Sequence, residues 1–240
     1  MNRTPCIALL LAGGQGCRMH SLRPKQFLTV EGSPVLAYPL RTFQHHDEID
    51  RIYVVCAPEW SDFIRCLANE KGISKFVRTI PSGTTSIDSI RNGIEGIRQD
   101  YSESNPVVML HEAVRPLVSD ETIGLNLKTF RTYGNAVTAI RSHEAYMVSN
   151  DGISSSAGIP REQLFRAQTP QTFFLNDIEE AFTRAKQAGL PASQSLYTLM
   201  TEVCGEKPLY IAQGDAINFK LTLPEDIELL KAILCYRRKG

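Results

Sequence analysis

Short runs of apolar residues, many of them β-branched, alternate along the chain with segments in which apolar residues recur every three or four positions. Such short runs are typical of buried strands. Six strands are predicted in this way: Cys6–Ala12, Ile52–Ala57, Phe76–Ile80, Val107–His111, Ala136–Ile140 and Leu209–Ala212. The alternation of strands with helices predicts an α/β fold in which helices cover both faces of a mostly parallel sheet.

Four helices are predicted between and after these strands, beginning at Pro34, Ser86, Ser119 and Pro224. The clearest is Ser86–Asp100, whose isoleucines recur at intervals of three and four residues and form one apolar stripe. Ser119 is a favourable capping residue, and Gly134 is expected to end the helix that it begins. The helix Pro34–Phe43 contains Pro39, which predicts a kink or an early end.

One segment interrupts this alternation. Residues 142–161 are polar and irregular, and the Asn150-Asp-Gly sequence within them is a hairpin turn signal. The residues alone leave open whether this is a long surface loop or a protruding hairpin. With no internal repeat or low-complexity linker, we expect residues 1–240 to form a single domain.

The overall charge excludes some classes of partner. Lys and Arg together number 26 and are balanced by 26 Asp and Glu, so no net field attracts nucleic acid or a membrane surface. The chain has no apolar run near the ~20 residues of a membrane span and no secretory signal. Its six cysteines contain no Cys-x-x-Cys pair. We therefore expect a cytoplasmic protein that binds neither nucleic acid nor membranes.

The first predicted strand ends in a glycine-rich turn. Glycine lets backbone N–H groups approach phosphate oxygens, because it has no Cβ to block the approach. Arg18 and Lys25 add two positive charges beside the turn, which suits a nucleoside triphosphate. The residues of this candidate nucleotide loop are Leu11, Ala12, Gly13, Gly14 and Gly16.

Spacing argues against two other phosphate-binding motifs. A P-loop needs Lys-Ser or Lys-Thr after its glycines, and neither pair is present here. The dinucleotide fingerprint needs a third glycine where Met19 stands, and the strand Ile52–Ala57 lacks an acidic residue for a ribose hydroxyl. Both departures argue against a nicotinamide-dependent oxidoreductase.

Four motifs spread over nearly the whole chain resemble those of the cytidylyltransferases that act on methylerythritol phosphate and ribitol phosphate. Residues 11–19, followed by residues 24–26, resemble the family's opening motif. Residues 111–116 resemble its His-Asp-Ala-x-Arg-Pro, residues 168–173 its Gln-Thr-Pro-Gln-x-Phe, and residues 218–222 its Asn-Ile-Lys-Val-Thr. A hexose-1-phosphate nucleotidyltransferase shares the logic of the glycine loop but fits the later motifs poorly.

The resemblance implies a Rossmann-like fold of the nucleotide-diphospho-sugar transferase type. It implies transfer of CMP from CTP to a polyol phosphate with release of pyrophosphate. It also implies that the segment near 142–161 is a β-arm that embraces a second subunit and contributes to the acceptor site, so that the protein is a homodimer. The acceptor phosphate is already ionised and needs no general base, so the site must supply alignment and charge stabilisation.

Family roles transfer to matching positions of this chain. The residues are Arg18, Lys25 and Lys220 for catalysis; Gly83 and Ser89, with the glycine loop, for the nucleotide; and Arg115, Arg161 and Thr169 for the acceptor phosphate. Ligands of open α/β sheets bind beyond the carboxyl ends of the strands, so the residues that follow strand ends should converge on one cleft: Gly13–Gly16, Ser82-Gly83, Glu112 and Arg115.

Glu112 stands where the family has a metal-binding aspartate. A carboxylate at this strand end suits Mg²⁺, although the extra methylene moves its oxygens by about 1.5 Å. Ser86 and Leu196 also depart from the family pattern. These departures favour a ribitol-like acceptor for cell-surface polymers over methylerythritol 4-phosphate for isoprenoid precursors. They leave open a catalytically weak paralogue that binds nucleotide without turnover.

Overall fold

A seven-stranded sheet with helices on both faces forms the centre of the computed structural model, which describes residues 3–14, 23–190, 195–203, 205 and 207–239. The strands are β1 (Cys6–Ala12), β2 (Thr29–Val30), β3 (Ser33–Pro34), β4 (Arg51–Cys56), β5 (Phe76–Pro81), β6 (Val107–Glu112), β7 (Ala136–Arg141), β8 (Met147–Val148), β9 (Ala157–Gly158), β10 (Phe165–Phe174) and β11 (Ile211–Gln213). The helices are α1 (Ala37–His45), α2 (Ser61–Glu70), α3 (Ser86–Asp100), α4 (Asp120–Tyr133), α5 (Leu175–Gln187), α6 (Leu196–Val203) and α7 (Glu225–Lys239). Within the described part of the chain, no helix combines the length and the apolar character that crossing a membrane requires.

The sheet has the strand order β11-β7-β10-β6-β1-β4-β5. Neighbouring strands are parallel except where β10 pairs with β6 and β7, so β10 runs against the other strands of this sheet. The expected α/β fold with a mostly parallel sheet is confirmed. The carboxyl ends of β1, β5 and β6 share one edge of the sheet, and β10 begins at that same edge.

Side chains of the central strands alternate between two apolar layers. On β1, Ala8 and Leu10 pack with residues of α1, α2 and α4, whereas Ile7 and Leu9 pack with residues of α3, α5 and α6. Because both faces are covered, β1 is an unbroken apolar run in the sequence rather than an alternating one.

Helix α1 differs from its prediction at both ends. It begins at Ala37 rather than at Pro34, because Ser33 and Pro34 form β3, which pairs with β2. Pro39 is therefore in the first turn of the helix, where its missing N–H removes no intrahelical hydrogen bond. The helix runs on to His45, so the expected early end at Pro39 is wrong.

Strand β10 is not predicted by the pattern of apolar residues, and neither are α2, α5 and α6. Residues 168–172 of this strand are polar apart from Pro170, and proline is normally confined to edge strands. The register of β10 against β7 shifts between Ala167 and Gln171, so Pro170 falls where the ladder is interrupted. This irregularity lets a proline lie inside the sheet.

The segment at 142–161 contains a short exposed hairpin of β8 and β9, here called the arm, and its role in a dimer stays a prediction. Strands β8 and β9 pair antiparallel, so the hairpin interpretation is confirmed over that of an irregular loop. Asp151 closes the turn between them by accepting hydrogen bonds from the backbone N–H groups of Ile153 and Ser154. Met147 and Ile153 are 75% and 93% exposed, so the arm presents apolar side chains to its surroundings.

Candidate active site

A cleft of about 680 Å³ opens where β1, β5 and β6 end. Its walls are the glycine loop after β1, the turn between β5 and α3, and the segment after β6. Among its lining residues are several of those predicted from the sequence: Leu11, Gly13, Gly14, Lys25, Gly83, Ser89, Glu112 and Lys220. The expected convergence on one cleft is therefore observed for these residues but not for Ala12 and Arg115, which do not line it.

The first wall is the glycine loop, which is held from below by a glutamine. A Cβ atom at Gly13 would lie 2.6 Å from the Cβ of Ser82, so the close approach of the ends of β1 and β5 requires glycine here. Nε2 of Gln26 donates hydrogen bonds to the carbonyl oxygens of Ala12 and Gly14, at 2.7 and 2.8 Å. Gln26 is 1% exposed and fixes the path of the loop rather than facing solvent.

The second wall is the turn that enters α3. Oγ1 of Thr85 accepts a hydrogen bond from the N–H of Asp88, and the Asp88 carboxylate accepts one from the N–H of Thr85. Oγ of Ser89 accepts from the N–H of Gly83 and donates to the carbonyl oxygen of Thr85, both at 3.0 Å. Ser89 therefore shapes the turn. The N-terminus of α3 borders the cleft, where the helix dipole favours an anion.

Two of the three predicted catalytic cations line the cleft, Lys25 and Lys220. Lys25 is 8% exposed, and its Nζ donates a hydrogen bond to the carbonyl oxygen of Leu221 at 2.6 Å. This bond joins the segment after the glycine loop to the segment that carries Lys220. Gly16 and Arg18 lie outside the described residues, so their roles stay predictions.

Glu112 lies between two cations. Its Oε2 accepts a hydrogen bond from Nε of Arg115 at 2.8 Å, and its Oε1 accepts one from Nζ of Lys220. Burial raises the pKa of the Glu112 carboxyl, but the charges of Arg115 and Lys220 outweigh burial and hold that pKa below its usual value. Glu112 is therefore ionised and fixes the positions of both cations.

Behind Glu112, a buried histidine ties β6 to β10. His111 is fully buried, and its Nε2 must donate to the carbonyl oxygen of Arg115, 3.1 Å away, because a carbonyl can only accept. Burial lowers the pKa of His111 to about 4, so the ring is neutral and Nδ1 accepts from the Thr169 hydroxyl at 3.0 Å. The same hydroxyl oxygen accepts from the N–H of Glu112 at 3.1 Å. His111 is a positioning residue in this arrangement.

A smaller pocket of about 200 Å³, here called the acceptor pocket, adjoins the cleft. Glu112 and Lys220 line both cavities. Arg115 and Thr169, both predicted to bind the acceptor phosphate, line the smaller one. The third residue of that prediction, Arg161, lines neither cavity of its own chain. It is exposed in a short 3₁₀ turn directly after the arm.

A buried asparagine supports the acceptor pocket. Asn218 is fully buried, and its Nδ2 donates to the carbonyl oxygen of Thr169 at 2.8 Å. The backbone carbonyl oxygen of Asn218 accepts a hydrogen bond from Nη1 of Arg115 at 2.9 Å. These contacts hold the guanidinium group at the pocket wall. Arg suits a phosphate site because its planar fork can bind two oxygens at once.

Comparison with known proteins identifies the family. Residues 6–236 match the family model described as 2-C-methyl-D-erythritol 4-phosphate cytidylyltransferase. A ribitol-5-phosphate cytidylyltransferase of Streptococcus agalactiae serotype III is 34% identical over 228 residues, which cover 95% of this chain and 94% of that protein. The chain belongs to this family of cytidylyltransferases.

Other members of the family are similar over the same length. A 2-C-methyl-D-erythritol 4-phosphate cytidylyltransferase of Clostridium botulinum is 31% identical over 226 residues, which cover 94% of this chain and 96% of that protein. The crystal structure of 4-diphosphocytidyl-2C-methyl-D-erythritol synthase from Anaerococcus prevotii superposes with a TM-score of 0.82 at 25% identity, covering 96% of both chains. The resemblance stated from the motifs and the expectation of a nucleotidyltransferase are confirmed.

The cleft of this cytidylyltransferase offers one carboxylate to a metal ion. Among the described residues, Glu112 is the acidic side chain that lines either cavity, and no group of three or more potential ligands lies together. Mg²⁺ is commonly held by one or two carboxylates together with substrate phosphates, so this donor set fits the ion. Asp215, considered as a second ligand, lines a different cavity and accepts a hydrogen bond from the N–H of Ile217.

Sequence reasoning about the cytidylyltransferase motifs missed Gln26 and Asn218 as positioning residues. Each stands one or two residues from a lysine that was selected for its charge. An argument from charge overlooks their neutral amides. The amide of Gln26 ties the segment of Lys25 to the backbone where β1 ends, and the amide of Asn218 ties the segment of Lys220 to β10. A signal was present, because an amide beside a basic residue in a motif can satisfy backbone groups of an irregular segment.

Proposed function

We propose that this protein transfers CMP from CTP to ribitol 5-phosphate, forming CDP-ribitol and releasing pyrophosphate. The observation that carries the reaction is the common wall of the two cavities, where the charged residues are Glu112 and Lys220, beside Leu11 and Ser86. A triphosphate in the cleft and a phosphorylated acceptor in the acceptor pocket would meet at this wall. The choice of ribitol 5-phosphate is supported by the relative of that name at 34% identity, against 31% for the relative named for methylerythritol 4-phosphate.

The chemistry requires one bond to form and one to break. An oxygen of the acceptor phosphate attacks the α-phosphorus of CTP, and the bond from that phosphorus to the oxygen bridging to the β-phosphate breaks. The electron pair leaves with pyrophosphate, and no proton needs to be removed from the nucleophile. The site must therefore hold the attacking and leaving oxygens in line and neutralise the negative charge that accumulates.

The residues of the site match these requirements. The glycine loop and the N-terminus of α3 offer backbone N–H groups to the triphosphate. Lys25 and Lys220 supply positive charge on two sides of the cleft, and Arg115 holds the acceptor phosphate. Lys220 belongs to both cavities, so it is positioned to stabilise charge on the transferred phosphoryl group.

Glu112 would hold Mg²⁺ together with the bound substrate. When bound, the ion would neutralise charge on the triphosphate. Both oxygens of Glu112 accept hydrogen bonds from Arg115 and Lys220, so Glu112 would have to share or release one of these contacts to act as a ligand. We expect chelation of divalent cations by EDTA to abolish pyrophosphate release, and added Mg²⁺ to restore it.

The test of the function is pyrophosphate release with Mg²⁺ and CTP, with ribitol 5-phosphate and methylerythritol 4-phosphate offered in parallel. We expect a kcat/KM at least tenfold higher for ribitol 5-phosphate, which corresponds to about 1.4 kcal/mol of discrimination. A preference for methylerythritol 4-phosphate would favour the second candidate acceptor, which is supported by the match to the family described as 2-C-methyl-D-erythritol 4-phosphate cytidylyltransferase. Release with neither acceptor, while CTP still binds, would favour the catalytically weak paralogue.

The homodimer and the role of Arg161 can be tested together. Arg161 lines neither cavity of its own chain but follows an exposed apolar arm, which supports a proposal that it reaches the acceptor pocket of a second copy. In that case Lys25→Met and Arg161→Ala proteins, each nearly inactive, should form mixed dimers with one intact site. A one-to-one mixture should recover about a quarter of the wild-type activity for a symmetric dimer that exchanges subunits freely. Subunit exchange must first be demonstrated. If activity then does not recover, Arg161 has no role across the dimer.

A further inference from the structure

The acceptor pocket contains a buried hydrogen-bond acceptor that lacks a donor. Gln171 lies on β10, lines the pocket and is 5% exposed. Its Nε2 donates to the carbonyl oxygen of Gln168 at 3.2 Å, which establishes which end of the amide is the oxygen. Oε1 of Gln171 is buried and finds no donor among the described residues. A buried acceptor in this state costs free energy unless a ligand or a water molecule supplies a hydrogen.

Other buried amides in the region are different. Oε1 of Gln168 and Oδ1 of Asn218 are also without a donor among the described residues. Gln168 also lines the pocket, but its amide lies against the segment after β11: its Nε2 donates to the carbonyl oxygen of Asp215, and a Cβ atom at Gly214 would lie 2.5 Å from its Oε1. Asn218 does not line the pocket. Oε1 of Gln26 is also without a donor among the described residues, but Gln26 lines the larger cleft and not this pocket. In the acceptor pocket, Gln171 combines an unpaired oxygen with an amide nitrogen that is bonded within β10 itself.

The register of the sheet places Gln171 farther from the carboxyl end of β6 than the charged residues are. It pairs with Leu110 of β6, two residues before Glu112 along the strand, and Leu110 also lines the pocket. Arg115 and Lys220 are at the other end, where the pocket meets the cleft. A phosphate group bound by these cations would lie near the opening, and the rest of an acceptor would extend toward Gln171.

The chemistry of an amide oxygen selects the group that it meets. It can only accept, and an ionised phosphate offers only acceptors, so the partner must be a donor such as a hydroxyl group. A pocket of about 200 Å³ is smaller than the roughly 300 Å³ at the lower end for drug-sized ligands. A short polyhydroxylated chain fits both its size and its polarity.

We propose that Gln171 is a specificity-determining residue, whose Oε1 accepts a hydrogen bond from a hydroxyl of the polyol chain of the acceptor. The inference rests on the proposed function, because it assumes a polyol phosphate in the acceptor pocket. It adds a group that distinguishes acceptors by their hydroxyls rather than by their phosphate.

The experiment combines one variant with a series of acceptors. The variant Gln171→Met keeps the length of the side chain and removes the amide. Acceptors are ribitol 5-phosphate and analogues in which one hydroxyl at a time is replaced by hydrogen. KM for the acceptor, KM for CTP and kcat are measured from pyrophosphate release. Thr172→Val is the matched control, since Thr172 is the next residue of β10 and its hydroxyl is bonded to Asn126 of α4 instead of lining the pocket.

We expect Gln171→Met to raise the acceptor KM about tenfold, the effect of losing one neutral hydrogen bond in a buried site, with KM for CTP changed less than twofold. For the wild type, one deoxy analogue should show a similar rise in KM. For Gln171→Met, the same analogue and the parent should be used equally well. This loss of discrimination is a result that general damage to the strand would not produce, and Thr172→Val should retain the discrimination.

The outcomes separate this inference from the function on which it rests. If the wild type releases pyrophosphate with neither ribitol 5-phosphate nor methylerythritol 4-phosphate, the proposed function is wrong and this inference falls with it. If the wild type is active and uses every one of the single-deoxy analogues as well as ribitol 5-phosphate, Gln171 does not bind a hydroxyl of the acceptor. In that case the inference alone is wrong. That second result needs only the wild type, so it does not depend on the folding of the variant.

Discussion

Two clusters of polar side chains lie near β10, and they differ in charge and in exposure to solvent. The first, the amide cluster, consists of Asn126, Thr138 and Thr172. Nδ2 of Asn126 donates to Oγ1 of Thr138 and to the carbonyl oxygen of Pro170, and its Oδ1 accepts from the Thr172 hydroxyl. Its members are uncharged, buried and bonded to one another.

The second, the cleft cluster, consists of Lys25, Glu112, Arg115 and Lys220. Its three cations and one anion leave an excess of positive charge, and the side chain of Lys220 is 40% exposed at the opening of two cavities. The difference separates two uses of buried polarity. A closed neutral cluster stabilises the packing of α4 on the sheet, whereas an open cationic cluster keeps binding capacity for phosphates.

The largest effect is expected from removing a charge of the cleft cluster. Lys25→Met should lower kcat/KM by about 10²–10³, the usual loss for one group that stabilises transition-state charge. Lys75→Met is the matched control, because Nζ of Lys75 also donates to a backbone carbonyl, that of His46, but outside the cleft. Steady-state pyrophosphate release checks this. Equal losses in both variants would mean that Lys25 acts only through its bond to Leu221.

The amide cluster should show the opposite response. Asn126→Ala leaves two hydroxyls and one carbonyl oxygen without their partner, so we expect it to lower the free energy of unfolding by about 2–3 kcal/mol. For a chain of this size the melting temperature should fall by about 5–10 °C, with kcat/KM nearly unchanged at 25 °C. Asn92→Ala, which removes a more accessible amide from α3, should have a much smaller effect. A loss of activity without a loss of stability would overturn the comparison.

Gln26 tests whether an uncharged residue can belong functionally to the cleft. Gln26→Met removes two hydrogen bonds to the glycine loop, so we expect KM for CTP to rise about tenfold while KM for the acceptor stays the same. Isothermal titration with CTP provides an independent measure of the same loss. Unchanged CTP affinity would show that the loop keeps its path without this glutamine.

The smallest effects should come from two helix caps. Thr85 caps α3 at the cleft, and Ser119 caps α4, whose N-terminus lies beside a different cavity. Replacing either by alanine should cost about 1 kcal/mol of stability. Only Thr85→Ala should also weaken CTP binding, by a few-fold, which thermal unfolding in the presence and absence of CTP would reveal. Equal shifts in CTP binding would argue against a role for the N-terminus of α3.

Most of the fold follows from the sequence because burial dominates it. Strand β1 is covered on both faces, and α3 buries a single stripe of isoleucines, so both produce strong patterns. Strand β10 produces none, because Gln168, Thr169 and Gln171 belong to the acceptor side of the molecule and replace the apolar residues that a central strand would otherwise carry. The prediction failed where the requirements of the site replaced those of the core.

The site was predictable in its parts but not in its connections. The motifs identify Glu112 and Arg115, which the turn after β6 brings together. The pairing of Glu112 with Lys220 joins residues 108 positions apart, and nothing local indicates it. Likewise, the sequence does not indicate that Oε1 of Gln171 lacks a donor, because this depends on which residues pack around it in the folded chain.

The two cavities are also lined largely by different segments of the chain. Apart from Glu112, Val114 and Lys220, the residues that line the nucleotide cleft lie between Leu11 and Ser89. The acceptor pocket draws mainly on residues 110–197, and β10 carries much of its wall because it runs backwards from the arm into the sheet. Under the proposed function, substitutions in the later segment can therefore alter the choice of acceptor while most of the lining of the cleft is kept. A family built on this plan can diversify its products by changes that lie mainly in one part of the gene.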